Sequence, residues 1–497
     1  MICASVMPKS QKEAVLLLGK ALENGDLAEL RIDLMPDLNL FEIINRFDKK
    51  RIIITNRKKD EGGSFEGDES NRISPLFQAI ENGFGFVDVE LSSGKYVKEL
   101  ISKRNEVKSD TNIILSYHNF NETPSNIKGI FSKMENQGQD IIKIVTYAED
   151  LSDNLIIKDL IRLATAHKKK IISFLMGERG EISRILCNSW NGFASYAPLK
   201  GENKTAPGQI TIDILNDIYR ANNIREDFGI FGLVGNPVKE SIGYYVHNKL
   251  LSYHGYDGVY LNFLVDDLSK FMNSFKNFFS GLCVTMPYKE SIIPFVDHID
   301  PMAKKIGAIN TISKTPDGLF GTNTDWLGAL YAIEKVTEIK GKKVLILGAG
   351  GAGKAIAFGV DNRKGNMYIS NRDIKKSEDL SKKLKAKSIP WEDRNDVDFD
   401  ILINATKIGM SPGDEICPME DSFFEKDLSG ITVFDAVYSP IYTKLLRLSR
   451  EHGADIASGL DMYIGQAMAQ FELWTGISPA IEKMEQFSKE ALKLRGQ

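Results

Sequence analysis

The sequence predicts an α/β chain in two halves: an N-terminal (β/α)8 TIM barrel, then a two-lobed α/β unit whose second lobe is of Rossmann type. Three observations predict it. Through about the first 220 residues, eight short apolar runs alternate with amphipathic stretches, the rhythm of eight β/α units. A short polar join follows, Asn222 to Asp227, with a helix-like stretch before it and a strand-like one after. Further on, Lys342 to Phe358 reads as strand, glycine turn and helix in succession. At 497 residues the chain is too long for one core, so two or three domains are expected.

The runs of the first half are Met1–Val6, Leu27–Asp33, Arg51–Arg57, Phe86–Leu91, Asn112–Phe120, Asp140–Tyr147, Lys170–Met176 and Phe193–Leu199. Each precedes a helix-like segment such as Gln11–Glu23 or Asn154–His167, the latter with Asp153 in position to cap it. In a barrel of this kind the chemistry gathers at the C-terminal ends of the strands. Those ends carry Ser5, Glu29, Arg31, Arg57 with Glu61, His118, Lys143 and Arg184, and the loop after the eighth run carries Thr205 and Gln209. Lys143 lies in DIIKIVTY, where strand alternation sets it on one face with Ile141 and Val145. A lysine within an apolar strand is unusual unless paired, and Glu29 is a candidate partner. Desolvation would lower its pKa and free the amine to attack a ketone. His118, one strand earlier, could move protons beside it.

This stretch resembles the type I 3-dehydroquinate dehydratases over the whole barrel. The resemblance implies that Lys143 forms an imine with the substrate ketone and that His118 is the general acid–base. It implies substrate contacts from Glu29 and Arg31 in AELRIDL, Arg57 and Glu61 in TNRKKDEGG, Arg184 in EISRI and Gln209 in APGQ. Thr205 stands where that family usually has Ser, and Ser5 completes the set.

Past the join, strand-like segments at Gly229–Gly235, Gly258–Val265 and Gly281–Pro287 alternate with helices such as Val246–His254 and Asp267–Phe278. Then Val344–Leu347 leads into Gly348, Gly350 and Gly353, a G-x-G-x-x-G turn before a helix, which suits a pyrophosphate resting on free N–H groups. A phosphate loop of the other common type would need Ser or Thr where this chain has Ala355. The next strand, Met367–Ser370, ends at Asn371-Arg372, where a dinucleotide fold reads the adenosine ribose. An Arg there favours a 2′-phosphate, whereas Asp373 beside it favours a free hydroxyl.

GLVGNPV, CVTMPYKE, GAINTI, GTNTDWLGAL, ILINATKIGM, FDAVYSP and SGLDMYIGQAMAQFELW occur in order around the glycine turn. Together they resemble shikimate dehydrogenase across the second half. The resemblance implies a substrate-binding and proton-transferring pair, Lys289 and Asp325. It implies further substrate contacts from Ser241, Thr285, Asn310, Tyr438 and Gln466. It implies NADP contacts from Gly348, Ala349, Gly350, Gly351, Ala352, Gly353, Asn371, Arg372, Lys376, Asn404, Thr406 and Gly459. One departure stands out: the family's S-x-S carboxylate clamp reads Ser241-Ile242-Gly243 here, with Tyr244 or Tyr245 as alternative hydroxyls.

The domains expected are 1–224, the barrel; 225–329, a substrate lobe with helices of 462–497 packing back on it; and 330–461, the nucleotide lobe. The joint expectation is an enzyme of two consecutive steps, 3-dehydroquinate to 3-dehydroshikimate and then, with NADPH, to shikimate. Two other readings stay open, a Schiff-base aldolase barrel fused to another hydroxy-acid dehydrogenase, and a nucleotide-binding regulator without chemistry. A net charge of −4 with interspersed signs makes no case for nucleic acid or an anionic membrane. No apolar run reaches membrane-spanning length, and Met1 leads directly into the first run, so no signal peptide is expected. The four cysteines are far apart and read as reduced cytoplasmic thiols, and the six histidines form no metal-binding pair. Only small-molecule partners are expected.

Overall fold

A computed structural model describes residues 1–35, 38–201 and 208–494. The chain divides into two compact units, 1–228 together with 257–259, and the remainder.

In the first unit eight parallel strands form a nearly closed barrel. They are β1 (Ile2–Val6), β2 (Leu27–Arg31), β3 (Ile52–Thr55), β4 (Phe86–Glu90), β5 (Asn112–His118), β6 (Ile141–Tyr147), β7 (Lys170–Met176) and β8 (Ser195–Pro198). The hydrogen-bonded order runs β7-β6-β5-β4-β3-β2-β1-β8. β7 and β8 close the ring without a shared ladder; just before β8, Phe193 N–H donates to Ile171 O of β7. Inward positions fill with Leu27, Ile53, Phe86, Ile114, Ile141, Ile172 and Tyr196, all buried. Branched and aromatic side chains at every second residue pack there as layers and leave polar residues for the strand ends. Several strands stop short of their apolar runs; β3 ends at Thr55, which puts Arg57 on the loop above the barrel mouth. Asp153 does not cap the helix Asp153–Ala166 as expected. It is the first helical residue, and its carboxylate instead accepts the N–H groups of Glu149 and Asp150 in the turn before.

The second unit holds two six-stranded sheets. The first contains β9 (Gly229–Gly235), β10 (Gly258–Leu264), β11 (Gly281–Val284), β12 (His298–Ile299), β13 (Thr311–Thr315) and β14 (Gly318–Thr322), in the order β10-β9-β11-β13-β14-β12. It is mixed, because β13 runs antiparallel to both neighbours. The second contains β15 (Lys343–Leu347), β16 (Asn366–Ser370), β17 (Lys387–Ile389), β18 (Ile401–Asn404), β19 (Thr432–Asp435) and β20 (Asp455–Ala457). Its order, β17-β16-β15-β18-β19-β20, is that of a Rossmann sheet, with the direction of winding reversing between β15 and β18. The helix Gly459–Thr475 returns along the helix Asp325–Glu334. Two glycines permit the approach: a Cβ on Gly328 would lie 2.4 Å from Met462 O, and one on Gly465 would lie 3.0 Å from the Gly328 Cα. The same helix reaches the first sheet, where Trp474 Nε1 donates to Ile312 O.

Candidate active sites

Lys143 sits mid-strand on β6, pointing into the barrel, and is 4 % exposed. An ammonium is costly to bury unpaired. Here Nζ donates to Asp88 Oδ2 at 2.9 Å and to Glu29 Oε1 at 3.3 Å, and lies 4.2 Å from the centre of the Tyr196 ring. Glu29 also accepts from Ser5 Oγ at 2.6 Å and Thr55 Oγ1 at 3.1 Å. Asp88 is shared with Arg57 Nη2 at 2.8 Å and Ser116 Oγ at 2.7 Å. Arg57 pairs further with Glu90, which Arg72 holds from behind. Burial alone would raise both carboxylates, but Lys143 and the nearby arginines outweigh it and hold Glu29 and Asp88 below their ordinary range.

In the parallel register of β5 and β6, Ser116 faces Lys143 and His118 faces Val145. His118 is therefore the diagonal neighbour of Lys143 on the inner face. Its Nδ1 lies 3.2 Å from Glu61 Oε2, and Glu61 Oε1 accepts from Ser92. Burial, then the charges of Arg57 and Lys143, push the imidazole well below its ordinary value, so it is neutral at neutral pH. Burial likewise raises Glu61.

A cleft opens over these groups, lined by Glu29, Arg31, Arg57, Glu61, His118, Lys143, Arg184 and Gln209. Arg31 is held by a two-pronged bond to Asp33. Arg184 is different. It is 1 % exposed, lies over the Phe174 ring, and its Nε and Nη2 meet no partner among the described residues. Burial pushes it down to about 10. Its Nη1 donates to Tyr196 O at 3.4 Å. A buried guanidinium with two nitrogens unpartnered among the described residues suits an anion. Thr205 lies outside the described residues.

In the second unit Lys289 Nζ contacts Asp325 Oδ2 at 2.6 Å, and the other carboxylate oxygen accepts from Asn310 Nδ2 at 2.7 Å. Asp325 opens the helix Asp325–Glu334, with its own N–H bonded to Asn323 Oδ1. Asn310 Oδ1 in turn accepts from Thr324 N–H. This fixed chain aims Lys289, which remains about one-fifth exposed, toward the glycine turn; its Cδ is 3.9 Å from where a Gly351 Cβ would stand. Thr285 follows β11, with its N–H bonded to Val234 O. Gln466 is buried on the helix Gly459–Thr475, against Gly328. Tyr438 packs beside Tyr463 at 5.8 Å. Ser241 Oγ accepts from Gly243 N–H. Tyr245 does not face this group, because its hydroxyl donates to Glu490 on the last helix.

The glycine turn meets the requirements of a pyrophosphate site. Gly348 has φ +110°, which a side chain would strain, and a Cβ on Gly353 would lie 2.1 Å from Gly348 O. A Cβ on Gly350 would meet only open space. Gly350 precedes the helix Gly351–Asn362, whose start no side chain caps. Ala349 N–H is bonded by Asn371 Oδ1, which docks the end of β16 on the turn. Arg372 is exposed after it, and Asp373 lies 3.8 Å from Lys376, so its charge is partly balanced. Asn404 is buried at the end of β18, bonded to Asp435, Ile408 O and Thr406, and shapes the adjoining loop. Gly459 packs on the backbone of Val437, where no Cβ fits. Among the described residues no cluster could hold a metal ion, and no helix is long and apolar enough to cross a membrane.

Family models cover the chain in sequence. The type I 3-dehydroquinase model matches residues 2–226, and the shikimate dehydrogenase substrate-binding domain matches 233–312. The shikimate/quinate 5-dehydrogenase model matches 331–410, and the shikimate 5′-dehydrogenase C-terminal domain matches 459–486. A bifunctional 3-dehydroquinate dehydratase/shikimate dehydrogenase of Arabidopsis thaliana, named as chloroplastic, is 36 % identical over 96 % of this chain and 82 % of its own length. The chain belongs to this bifunctional family. The dehydrogenase half also resembles the shikimate dehydrogenase (NADP(+)) of Pyrococcus abyssi, 41 % identical over 53 % of this chain and 98 % of that protein. The shikimate 5-dehydrogenase of Listeria monocytogenes, solved in complex with shikimate and NAD, superposes with a TM-score of 0.50 at 28 % identity, covering 53 % of this chain and 97 % of that one.

Several residues of this bifunctional chain escaped the sequence reading. Asp88 and Glu90 touch the lysine–arginine network yet sit in FVDVE, a strand read only as apolar. Two carboxylates alternating with Phe86 on one face were the signal. Gln470 lies four residues beyond Gln466 on the same helix, and its Nε2 reaches Cys283 Sγ and Thr311 Oγ1.

Proposed function

We propose that the first unit dehydrates 3-dehydroquinate through an imine on Lys143 and that the second reduces the resulting 3-dehydroshikimate to shikimate. The observation that carries this reading is the inward Lys143 beside a neutral His118, in a cleft lined by the Arg184 guanidinium, two nitrogens of which meet no partner among the described residues. Arg184 takes the ring carboxylate, and Arg31, Glu29, Glu61 and Gln209 hold ring hydroxyls, with Ser5 steadying Glu29. The Lys143 amine adds to the ketone and water leaves, giving an imine that withdraws electrons from the neighbouring carbon. His118, uncharged, takes the proton from that carbon and then delivers it to the departing hydroxyl. Hydrolysis of the imine restores the lysine.

In the second unit the cofactor is NADP. When bound, NADPH supplies the hydride. The turn Gly348–Gly353 would hold its pyrophosphate, Asn371, Arg372 and Lys376 would bind the ribose and its 2′-phosphate, and Asn404, Thr406 and Gly459 would contribute further contacts. Lys289, oriented by Asp325, gives the proton to the carbonyl oxygen as it gains charge, while Ser241, Thr285, Asn310, Tyr438 and Gln466 hold the ring. On this reading the domains are 1–224, 225–329 with 462–497, and 330–461, the partners are small molecules alone, and the protein works in the cytoplasm, in keeping with four free thiols. A coupled assay tests it. Dehydroquinate plus NADPH should consume nicotinamide absorbance and yield shikimate. Turnover of sugar phosphates in place of dehydroquinate would favour the aldolase reading instead.

A further inference from the structure

Phe120 is a bulky apolar side chain of the barrel cleft to which the dehydration chemistry gives no part. It stands two residues after His118, lines the same cleft and is 36 % exposed. Its ring lies beside the His118 imidazole with 6.3 Å between centres and 25° between planes, an offset stack. The ring also rests on Gly62. A Cβ there would fall 2.2 Å from Phe120 Cζ, and φ at Gly62 is +77°, so the seat depends on glycine. Gly62 follows Glu61, whose Oε2 meets His118 Nδ1 at 3.2 Å, and Gly62 O accepts from Arg31 Nη2. Phe120 thus bridges the loop that carries Glu61 and the strand end that carries His118. With Nδ1 turned to Glu61, Nε2 has no partner among the described residues and is left to meet the substrate's proton.

The charged groups around the imidazole are Arg57 and Glu61 from the loop after β3, Asp88 and Glu90 from β4, and Lys143 from β6. A phenyl ring adds neither charge nor a hydrogen bond to this set. It keeps water off one face of the imidazole, whose side chain is 9 % exposed. Water at that face would solvate the imidazolium and favour the charged form, which cannot act as a base. We propose that Phe120 is a positioning residue for His118, a cover seated on Gly62 that keeps the imidazole dry and its Nε2 aimed into the cleft. The role rests on reading the first unit as a dehydratase with His118 as its base. Phe120 itself transfers no proton.

Phe120→Ala opens the imidazole face to water. Burial is the largest cause of the lowered His118 pKa, so the acid limb of kcat/KM for dehydration should move up by about one pH unit, toward 6.5. The loss of activity should therefore grow as pH falls. Phe120→Tyr keeps the ring and should keep the limb where the unaltered chain has it. A second readout needs no substrate. Diethyl pyrocarbonate acylates accessible, uncharged imidazoles, and at neutral pH it should modify His118, located by peptide mass, several-fold faster in Phe120→Ala than in the unaltered chain. A loss equal at every pH, with the limb unmoved, would mean packing or substrate contact alone and overturns the proposal. An unchanged rate of His118 modification overturns it as well. An unaltered chain that does not dehydrate dehydroquinate overturns the dehydratase reading, and the role of Phe120 with it, a result told apart because it needs no variant.

Discussion

His118 sets the pH behaviour of the dehydration. A base must be uncharged to take a proton, and burial beside Arg57 and Lys143 keeps this imidazole uncharged well below its ordinary pKa of 6.5. The acid limb of kcat/KM for dehydration should therefore lie well under pH 6.5; a limb at or above it would mean that another group is the base. The same shift links to stability. Below pH 6.5 the unfolded chain binds a proton that the folded chain refuses, so the histidine's contribution falls as pH drops through that window. Lys143 has its own test. Borohydride added with dehydroquinate should leave a stable adduct on Lys143, located by peptide mass. His118→Ala should still form the adduct yet turn over roughly a hundredfold or more slowly, since imine formation precedes proton removal. An adduct on any other lysine removes Lys143 from the chemistry. Both residues were legible because each breaks its strand's pattern: a lysine between isoleucines, a histidine at a strand end. Asp88 was not read: the alternation of Asp88 and Glu90 with Phe86 marks a polar face of the strand, but a short strand does not say which distant side chains that face will meet.

At the scale of the element, the glycine turn makes the sharpest claim. Its helix start stays close to β15 only because Gly353 has no side chain; a Cβ would stand 2.1 Å from Gly348 O. Gly353→Ala should weaken NADPH binding by about tenfold or more, read by quenching or transfer of nicotinamide fluorescence, because the turn must open to admit the methyl. Wild-type affinity in that variant would mean the pyrophosphate lies elsewhere. Arg372, on the next strand end, decides between cofactors. Its bonds to a 2′-phosphate are charge-assisted, worth roughly 1.5–3 kcal/mol, so Arg372→Ala should raise the NADPH Michaelis constant roughly ten- to a hundredfold and hardly alter that for NADH. A wild-type preference for NADH would show that Asp373 outweighs it, even with Lys376 at 3.8 Å. Strand, turn and helix were readable here because their signals are local, a few residues each. The mixed sheet of the neighbouring lobe was not, since the antiparallel run of β13 depends on which strands it meets.

For the whole molecule, each unit holds its own set of polar groups around a lysine paired with a carboxylate, Lys143 with Asp88 and Lys289 with Asp325. Lys143→Ala should thus abolish dehydration and leave reduction of dehydroshikimate within about twofold, assayed on the same preparation; a large loss of both in a folded variant would reveal coupling between the two reactions. By itself the sequence determined the eight-unit rhythm, the glycine turn, and the two lysines and one histidine that stand out from their surroundings. These follow from side-chain period and backbone sterics, which act over a few residues. Only the tertiary structure decided the company they keep. Lys143 meets Asp88 and Glu29 from 55 and 114 residues away, and two guanidinium nitrogens of Arg184 meet no partner among the described residues. Such meetings depend on barrel register and helix packing between distant segments, and no local pattern encodes them.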